Sequence, residues 1–384
     1  MKILFVTCQY PSKKYPIAGA GAFHNPAKAL QKKDVDIAVL EIDMRSIRRR
    51  RKLGFYEDVF DGIKVYRTAF PCGPIPIIMP LLFKLFAAYA FRKIIAQGNR
   101  PDIIHAHFGD TSSYVAFLKK KHSIPLIVTE HSSAVLKENR NKGIERTYKN
   151  AYDKADALIA VSKALKENMR ILTNKEILVI PNIIPSYHYL KRVEKNTDFT
   201  FISVGGLIES KRFDITIKAF SIINKENPNT RLIIAGDGAL KGKLKQLTKD
   251  NGVEERVEFL SIVPNAMLPD IYNSCHCFVL PSMYETFGVA YAEALACGLP
   301  VIATKCGGPE DFVDESNGVL IPVGDLEATV EAMKYIYDNY SSYDCEGISR
   351  EILLRLSEES VGKSICDVYS SVLGREAAEH KTDC

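Results

Sequence analysis

Short runs of continuous apolar residues recur along this chain, separated by longer stretches with helical spacing of apolar positions. Residues 2–8, 35–40, 63–68, 101–108, 124–133, 154–161 and 178–184 read as strands in the first half. In the second half the strands are 199–204, 231–238 with its glycine turn, 256–263, a run ending near Leu280, Val301 to Thr304, and 318–323. Helices are predicted near 25–32, with Asn25 as cap, and from about Leu81. Others follow Ser162 and Lys211, span Asn265 to Asn273, and run from about Phe287 to the stop at Gly298 and Pro300. Two more cover 326–339 and 347–373, and the tail beyond reads as frayed. Strands that are apolar throughout and alternate with helices are the pattern of parallel sheets covered on both faces. The pattern runs twice. We therefore expect an α/β chain of two doubly wound parallel-sheet (Rossmann-like) domains facing each other across a cleft. A chain of 384 residues exceeds one comfortable core. The polar stretch 185–198 places the boundary, giving domains over 1–185 and 199–361.

Charge changes the picture unevenly. The net charge is +5, yet residues 1–190 hold 31 Lys/Arg against 16 Asp/Glu, and residues 191–384 hold 20 against 30. A basic half favours an anionic partner: nucleic acid, an anionic membrane surface or a phosphorylated acceptor. Arg45 to Lys52 concentrates six cations in eight residues, a solvated face or an electrostatic contact with a bilayer. Aromatic residues are not interleaved there, so no nucleic-acid partner is expected. The segment from Pro74 to Ile95 is apolar beyond one stripe, and burial in a core or acceptor groove is its favoured reading over lipid contact. The N-terminal residues read as a strand rather than a signal peptide, and no run of eighteen apolar residues predicts a spanning helix. Nine dispersed cysteines fit reduced thiols in a cytoplasm better than a disulfide framework. Cys275 and Cys277 lie in an apolar strand, where burial explains them better than a metal.

The densest chemistry lies between Pro281 and Glu310. Glu285 precedes a helix and Glu293 lies inside it. Eight residues is a little over two helical turns, so the two carboxylates suit two ends of one elongated ligand. Between them the amides of Phe287, Gly288 and Val289 open a helix, a natural seat for a phosphate. Lys211, shortly after the Gly205-Gly206 turn, suits a diphosphate clamp. Gly19 and Gly21 sit in a loop where backbone can approach phosphate or sugar. The spacing there is not the dinucleotide G-x-G-x-x-G. His105 and His107 share one strand face with no carboxylate or cysteine at ligand spacing, so hydrogen-bonded strand-end histidines are expected rather than a metal pair. His131 follows the next strand, at the carboxyl end where ligands of open parallel sheets bind.

These residues carry a resemblance. The PS-x-x-E-x-FG, EA-x-ACG-x-PV and GG-x-E pieces of 281–310 resemble the E-x7-E region of retaining GT-B glycosyltransferases of family 4. The V-G-x-L-x-x-x-K of 204–211 and L-x-I-x-G-x-G of 232–238 resemble neighbouring motifs of that family, and DIIHAHF and TEHSS resemble its histidine-bearing strand ends. The arginine usual in the first of these motifs is Gly206 here, and its glycine is Arg212.

The resemblance implies transfer of a sugar, with retention, from a UDP- or GDP-sugar to a glycan or lipid-linked glycan acceptor in cell-surface polysaccharide synthesis. No metal and no cofactor are expected beyond the nucleotide-sugar co-substrate. Glu293 would take the ribose, and Lys211, with Arg212 standing in for the absent arginine, the diphosphate. Glu285 would orient the sugar, and His131 would lie near it as it transfers. The resemblance also implies that the final helix, about 362–384, packs back on the first domain. The chain would work in the cytoplasm, peripherally on the inner face of the membrane. A sugar-nucleotide epimerase of the same architecture and a weakly catalytic, membrane-docked binding protein stay open as alternatives. The first would convert a nucleotide-sugar without acceptor.

Overall fold

The computed structural model describes residues 1–12, 21–43, 52–70, 79–136, 142–191 and 193–382. They form two compact units, Met1–Ile183 with Glu358–Cys384, and Ile184–Ser357.

The first unit runs β1 (Lys2–Thr7), α1 (Gly21–Gln31), β2 (Asp36–Asp43), β3 (Gly54–Phe60), β4 (Ile63–Ala69) and α2 (Met79–Ala96). It continues with β5 (Ile103–His107), α3 (Gly109–His122), β6 (Leu126–Glu130), α4 (Lys142–Lys154), β7 (Ala157–Ala160), α5 (Lys163–Arg170) and β8 (Ile177–Val179). The sheet order is β3-β4-β2-β1-β5-β6-β7-β8. The chain winds outward from β1 to one side and then returns to wind to the other, so the direction switches between β1 and β5. All pairs are parallel except β3 with β4. The hairpin strand β3 carries no apolar run that would predict it. Its residues alternate between half-buried and exposed rather than forming an apolar run. The turn Asp61-Gly62, with both φ angles positive, was the available sign.

The second unit runs β9 (Phe199–Val204), α6 (Phe213–Glu226), β10 (Thr230–Ala235), α7 (Lys241–Asp250), β11 (Val257–Leu260) and α8 (Leu268–Ser274). β12 (Cys277–Leu280), α9 (Val289–Ala296), β13 (Val301–Thr304), β14 (Gly318–Ile321), α10 (Leu326–Asn339) and α11 (Cys345–Leu356) follow. The order β11-β10-β9-β12-β13-β14 is wholly parallel, and its switch falls between β9 and β12. Phe201, Phe220, Phe278 and Tyr291 fill this core. Each such side chain contributes about 1.5–3 kcal/mol by leaving water.

α12 (Glu358–Thr382) belongs to the first unit. Its Ile365, Val368, Tyr369 and Val372 join Phe5, Ala27 and Leu30 in one core. Four expectations change. The stretch 347–373 is two helices broken at Ser357, whose extended backbone ends the first. The tail stays helical to Thr382. α1 starts at Gly21, not near residue 25, with Pro26 inside it at the cost of one backbone bond. Asn25 does not cap it; its side-chain amide donates to the Ile183 carbonyl at 3.2 Å. Finally, α2 buries Phe83, Ala87, Ala90, Phe91 and Ile94 but leaves Leu81, Leu85 and Tyr89 exposed, so burial covers one face of it.

Candidate active site

In an open parallel sheet a ligand sits beyond the carboxyl ends of the strands at the switch point. In the second unit that point is filled by the loops after β9 and β12. The β12 loop is tied down on all sides. The Met283 amide donates to the Ser210 carbonyl at 2.8 Å, beside the lysine turn Glu209–Lys211. The Glu285 amide donates to Cys306, and its carbonyl accepts from Gly308 at 2.8 Å. The Thr304 hydroxyl holds the Ser282 carbonyl at 2.5 Å. These bonds aim the Glu285 carboxylate at Lys211. Lys211 Nζ donates to Glu285 Oε1 at 2.6 Å, and the Ser282 hydroxyl donates to the same oxygen at 2.8 Å. The sequence placed these two residues in separate roles; the fold brings them into one ion pair.

α9 opens against this pair. Its cap Gly288 has φ +89°, and a Cβ there would lie 2.9 Å from Tyr291 and 3.0 Å from Pro309. The amides of Phe287, Gly288 and Val289 meet no acceptor among the described residues. Gly308 passes so close to Phe287 that a Cβ would stand 2.3 Å from its Cα. The glycine turn 307–308 therefore clamps the helix start. Gly205, half-buried, and Gly206, exposed, leave the end of β9, and a Cβ at Gly206 would meet nothing within 4 Å. Arg212 takes a left-handed φ of 51° and turns its guanidinium onto Asp214, at 3.0 and 3.1 Å. It is thus committed to its own helix start.

Glu293 points elsewhere. It is buried, 3.4 Å from the Tyr272 hydroxyl and 3.7 Å from His188 Nε2. Burial pushes its carboxyl up to about 7 and the His188 imidazole down to about 4. Neither His188 nitrogen has a hydrogen-bond partner among the described residues.

In the first unit, β5 and β6 end side by side, with His107 paired to Thr129 in register. His131 follows β6. Its Nε2 lies 3.1 Å from His107 Nδ1, and the two rings stack 5.3 Å apart. One proton is shared between them, so the tautomer of His107 sets that of His131. His131 Nδ1 has no partner among the described residues. Burial holds His131 down at about 3, so its ring is neutral. His105 is fixed by the Tyr369 hydroxyl and Thr129, each at 2.7 Å, which is the hydrogen-bonded strand histidine the sequence pointed to. Glu130 is buried and satisfied by the Gly109, His131 and Ser132 amides and the Tyr152 hydroxyl. Burial still raises it to about 7. The strained Phe108, φ 73°, packs on His131 at 5.3 Å.

Gly21 is the first residue of α1; Gly19 and the Arg45–Arg51 run lie outside the described residues. Cys275 and Cys277 are buried, and among the described residues no group of three or more His, Cys, Asp or Glu could hold a metal. Sequence reasoning passed over His188, Tyr272 and Ser282. None lies at motif spacing from the carboxylate it serves, apart from Ser282, three residues before Glu285.

The family model Glycosyl transferases group 1 matches residues 190–347, and Glycosyltransferase Family 4 matches residues 23–186. An uncharacterized glycosyltransferase of Methanocaldococcus jannaschii is 27% identical over 96% of this chain and 98% of its own. The putative teichuronic acid biosynthesis glycosyltransferase TuaC of Bacillus subtilis is 27% identical over 87% of this chain and 88% of its own. Among solved structures, HepE of Anabaena in complex with UDP superposes with a TM-score of 0.76 at 20% identity, covering 97% of this chain and all of that one.

Proposed function

This chain belongs to the group 1, family 4 glycosyltransferases and has their GT-B fold, and from that premise we propose that it moves a sugar, with retention, from a nucleoside-diphosphate sugar to a glycan or lipid-linked glycan. The observation that supports this reading most is the convergence at the β9/β12 switch point. A lysine–glutamate pair at 2.6 Å stands beside a helix start whose amides are unclaimed. In this reading Lys211 and the amides of Phe287, Gly288 and Val289 hold the diphosphate. They stabilise the charge that grows on it as the glycosidic bond breaks, which is electrostatic catalysis by preorganised donors. Glu285 orients the sugar hydroxyls, and Glu293 takes the ribose. Arg212, turned to Asp214, plays a minor part in the clamp. His131 acts on the transferring sugar, an assignment that rests on the resemblance. The acceptor's hydroxyl proton passes to the leaving phosphate; metal independence is part of this reading and rests on the resemblance. HepE was solved with UDP and TuaC is named for teichuronic acid biosynthesis. The first supports a UDP-sugar donor and the second a cell-surface polysaccharide; assembly on the cytoplasmic side rests on the resemblance alone.

The test is a thermal-shift panel with UDP, GDP, ADP, CDP and NAD on the wild type and on Glu293→Ala. A ligand at 100 times its Kd adds about 2.7 kcal/mol to the folded state. One nucleoside diphosphate should stabilise the wild type and lose its effect in the variant. Stabilisation by none of them, or by NAD alone, overturns the reading. Turnover of the matching nucleotide-sugar without acceptor would point to an epimerase.

A further inference from the structure

The Glu293 side chain keeps 11% of its surface exposed, while His188 and Tyr272, which face it, keep none. A ligand arriving from solvent therefore meets the carboxylate first, with the two buried groups behind it. Each of them addresses a different oxygen: the Tyr272 hydroxyl lies 3.4 Å from Oε2, and His188 Nε2 lies 3.7 Å from Oε1. Both approaches are slack against the distance of about 2.7–3.0 Å at which such bonds close. His188 is held in place from the second unit's own chain. Its amide donates to the Pro185 carbonyl at 2.9 Å, and its ring packs 4.7 Å from Tyr187 and 6.4 Å from Tyr272. Yet neither ring nitrogen has a hydrogen-bond partner among the described residues. A buried polar group without a bond costs stability that an apolar side chain of similar bulk would not cost. A fully buried, unbonded imidazole aimed at the carboxylate is thus poorly explained by packing.

We propose that His188 is a positioning residue for Glu293: its Nε2–H holds Oε1 while the Tyr272 hydroxyl holds Oε2, and the carboxylate is left to offer one acceptor site on each oxygen to a vicinal diol. An ionised carboxyl has about four acceptor sites, so two donors behind it leave two in front. Held on both oxygens, it cannot rotate, and the two hydroxyls are read as a unit. Burial keeps the His188 ring neutral above about 4, so it has one N–H to give, and the geometry assigns that proton to Nε2. The slack distances shorten when the diol draws the carboxylate into place, as bonds that are long in a free protein do on binding. The proposal rests on the reading in which Glu293 takes the ribose. It adds that the 2′,3′-diol is what is recognised, and that His188 sets how strictly.

Calorimetry with UDP, 2′-deoxy-UDP and 3′-deoxy-UDP tests this, with the corresponding GDP series alongside. The proteins are the wild type, His188→Leu, His188→Gln, Glu293→Ala and the double variant His188→Leu with Glu293→Ala. The wild type should favour the ribonucleotide over either deoxy form about tenfold to a hundredfold. His188→Leu should cut that preference to about threefold or less, and His188→Gln, which keeps an N–H near the place of Nε2, should restore most of it. In the Glu293→Ala background, His188→Leu should change nothing further, because it acts through the carboxylate. The thermal midpoint of His188→Leu should equal or exceed that of the wild type, since an unbonded imidazole has been replaced by an apolar group. The imidazole nitrogen resonances of wild-type His188 should report the Nε2–H tautomer once UDP is bound. The proposal is overturned if His188→Leu keeps the preference while Glu293→Ala loses it, an outcome that leaves the donor reading standing. It is equally overturned if His188→Leu lowers the midpoint and weakens all three nucleotides alike, which is a packing role. If neither series binds the wild type, or a series binds with no preference for the diol, the ribose role of Glu293 fails and the proposal falls with it.

Discussion

Glu293 offers a prediction whose size follows from its surroundings. Its carboxyl is buried with only a long contact to Tyr272, at 3.4 Å, and a longer one to His188, at 3.7 Å. His188 is itself held down at about 4, so above that pH it is neutral and gives Glu293 no counter-charge. The folded-state pKa is therefore raised, from 4.5 to about 7. The sign follows. Below pH 4.5 the group is protonated in both states and costs nothing. As pH rises through about 7 the unfolded chain has already released its proton while the folded chain must ionise a buried acid, so stability falls. A shift from 4.5 to about 7 corresponds to about 3 kcal/mol at most. Glu293→Gln cannot ionise and escapes this loss. Urea unfolding of both proteins at about pH 5 and about pH 8 should show the variant gaining up to about 3 kcal/mol on the wild type between the two. Glu130 shifts in the same direction, but it is present in both proteins and cancels. If the difference between the two proteins is the same at both pH values, the Glu293 carboxyl is ionised in the fold and the burial argument is wrong.

Three further outcomes can be measured directly. Lys211→Ala removes the cation paired with Glu285 at the switch point, and kcat should fall about a hundredfold to a thousandfold in a donor-turnover assay. Gly288→Ala puts a Cβ against Tyr291 and Pro309 at φ +89° and should cost about 1–2 kcal/mol in denaturant unfolding, more than Gly206→Ala, where nothing is near. His107→Phe keeps a stacked ring but removes the nitrogen that fixes His131. kcat should drop about tenfold to a hundredfold with the donor KM nearly unchanged, and the imidazole nitrogen resonances of His131 should report a mixed tautomer.

The second unit was legible in the sequence because its signals are local. β13 and α10 fall where the apolar run and the helical spacing put them, and Gly298 and Pro300 mark the end of α9. The central strands β9, β12 and β13 have interiors buried on both faces, which leaves no ambiguity of period there. The first unit hid more. β3 is an edge strand with a polar face, so it carries no apolar run, and Pro26 disguised the start of α1. The site was legible as a set of residues but not as contacts. Lys211 and Glu285 are 74 positions apart, and the bond from Met283 to Ser210 that brings their loops together leaves no trace in composition. His188 meets Glu293 from the stretch after β8, a coincidence of folding that spacing does not encode.

The Lys211–Glu285 pair has a consequence for binding. An ammonium has three donors, and here one goes to Glu285 Oε1. The others remain for phosphate oxygens, so on the transferase reading the lysine can hold both partners. The charge balance is less generous. Lys211 is already neutralised by Glu285, and an arriving diphosphate brings negative charge to a site with no net positive charge from that pair. Among the described residues after β9 and β12, the start of α9 is the positive pole without a carboxylate attached. Glu285 therefore opposes the diphosphate while it serves the sugar. Removing the opposing charge at about 5 Å, in an effective dielectric of about 20, is worth about 1–3 kcal/mol after screening. Glu285→Gln should bind the free nucleoside diphosphate about fivefold to a hundredfold more tightly by calorimetry, and turn over the nucleotide-sugar far more slowly. Weaker diphosphate binding in that variant would mean that Glu285 chiefly holds Lys211 in position, and that the charge argument has the wrong sign.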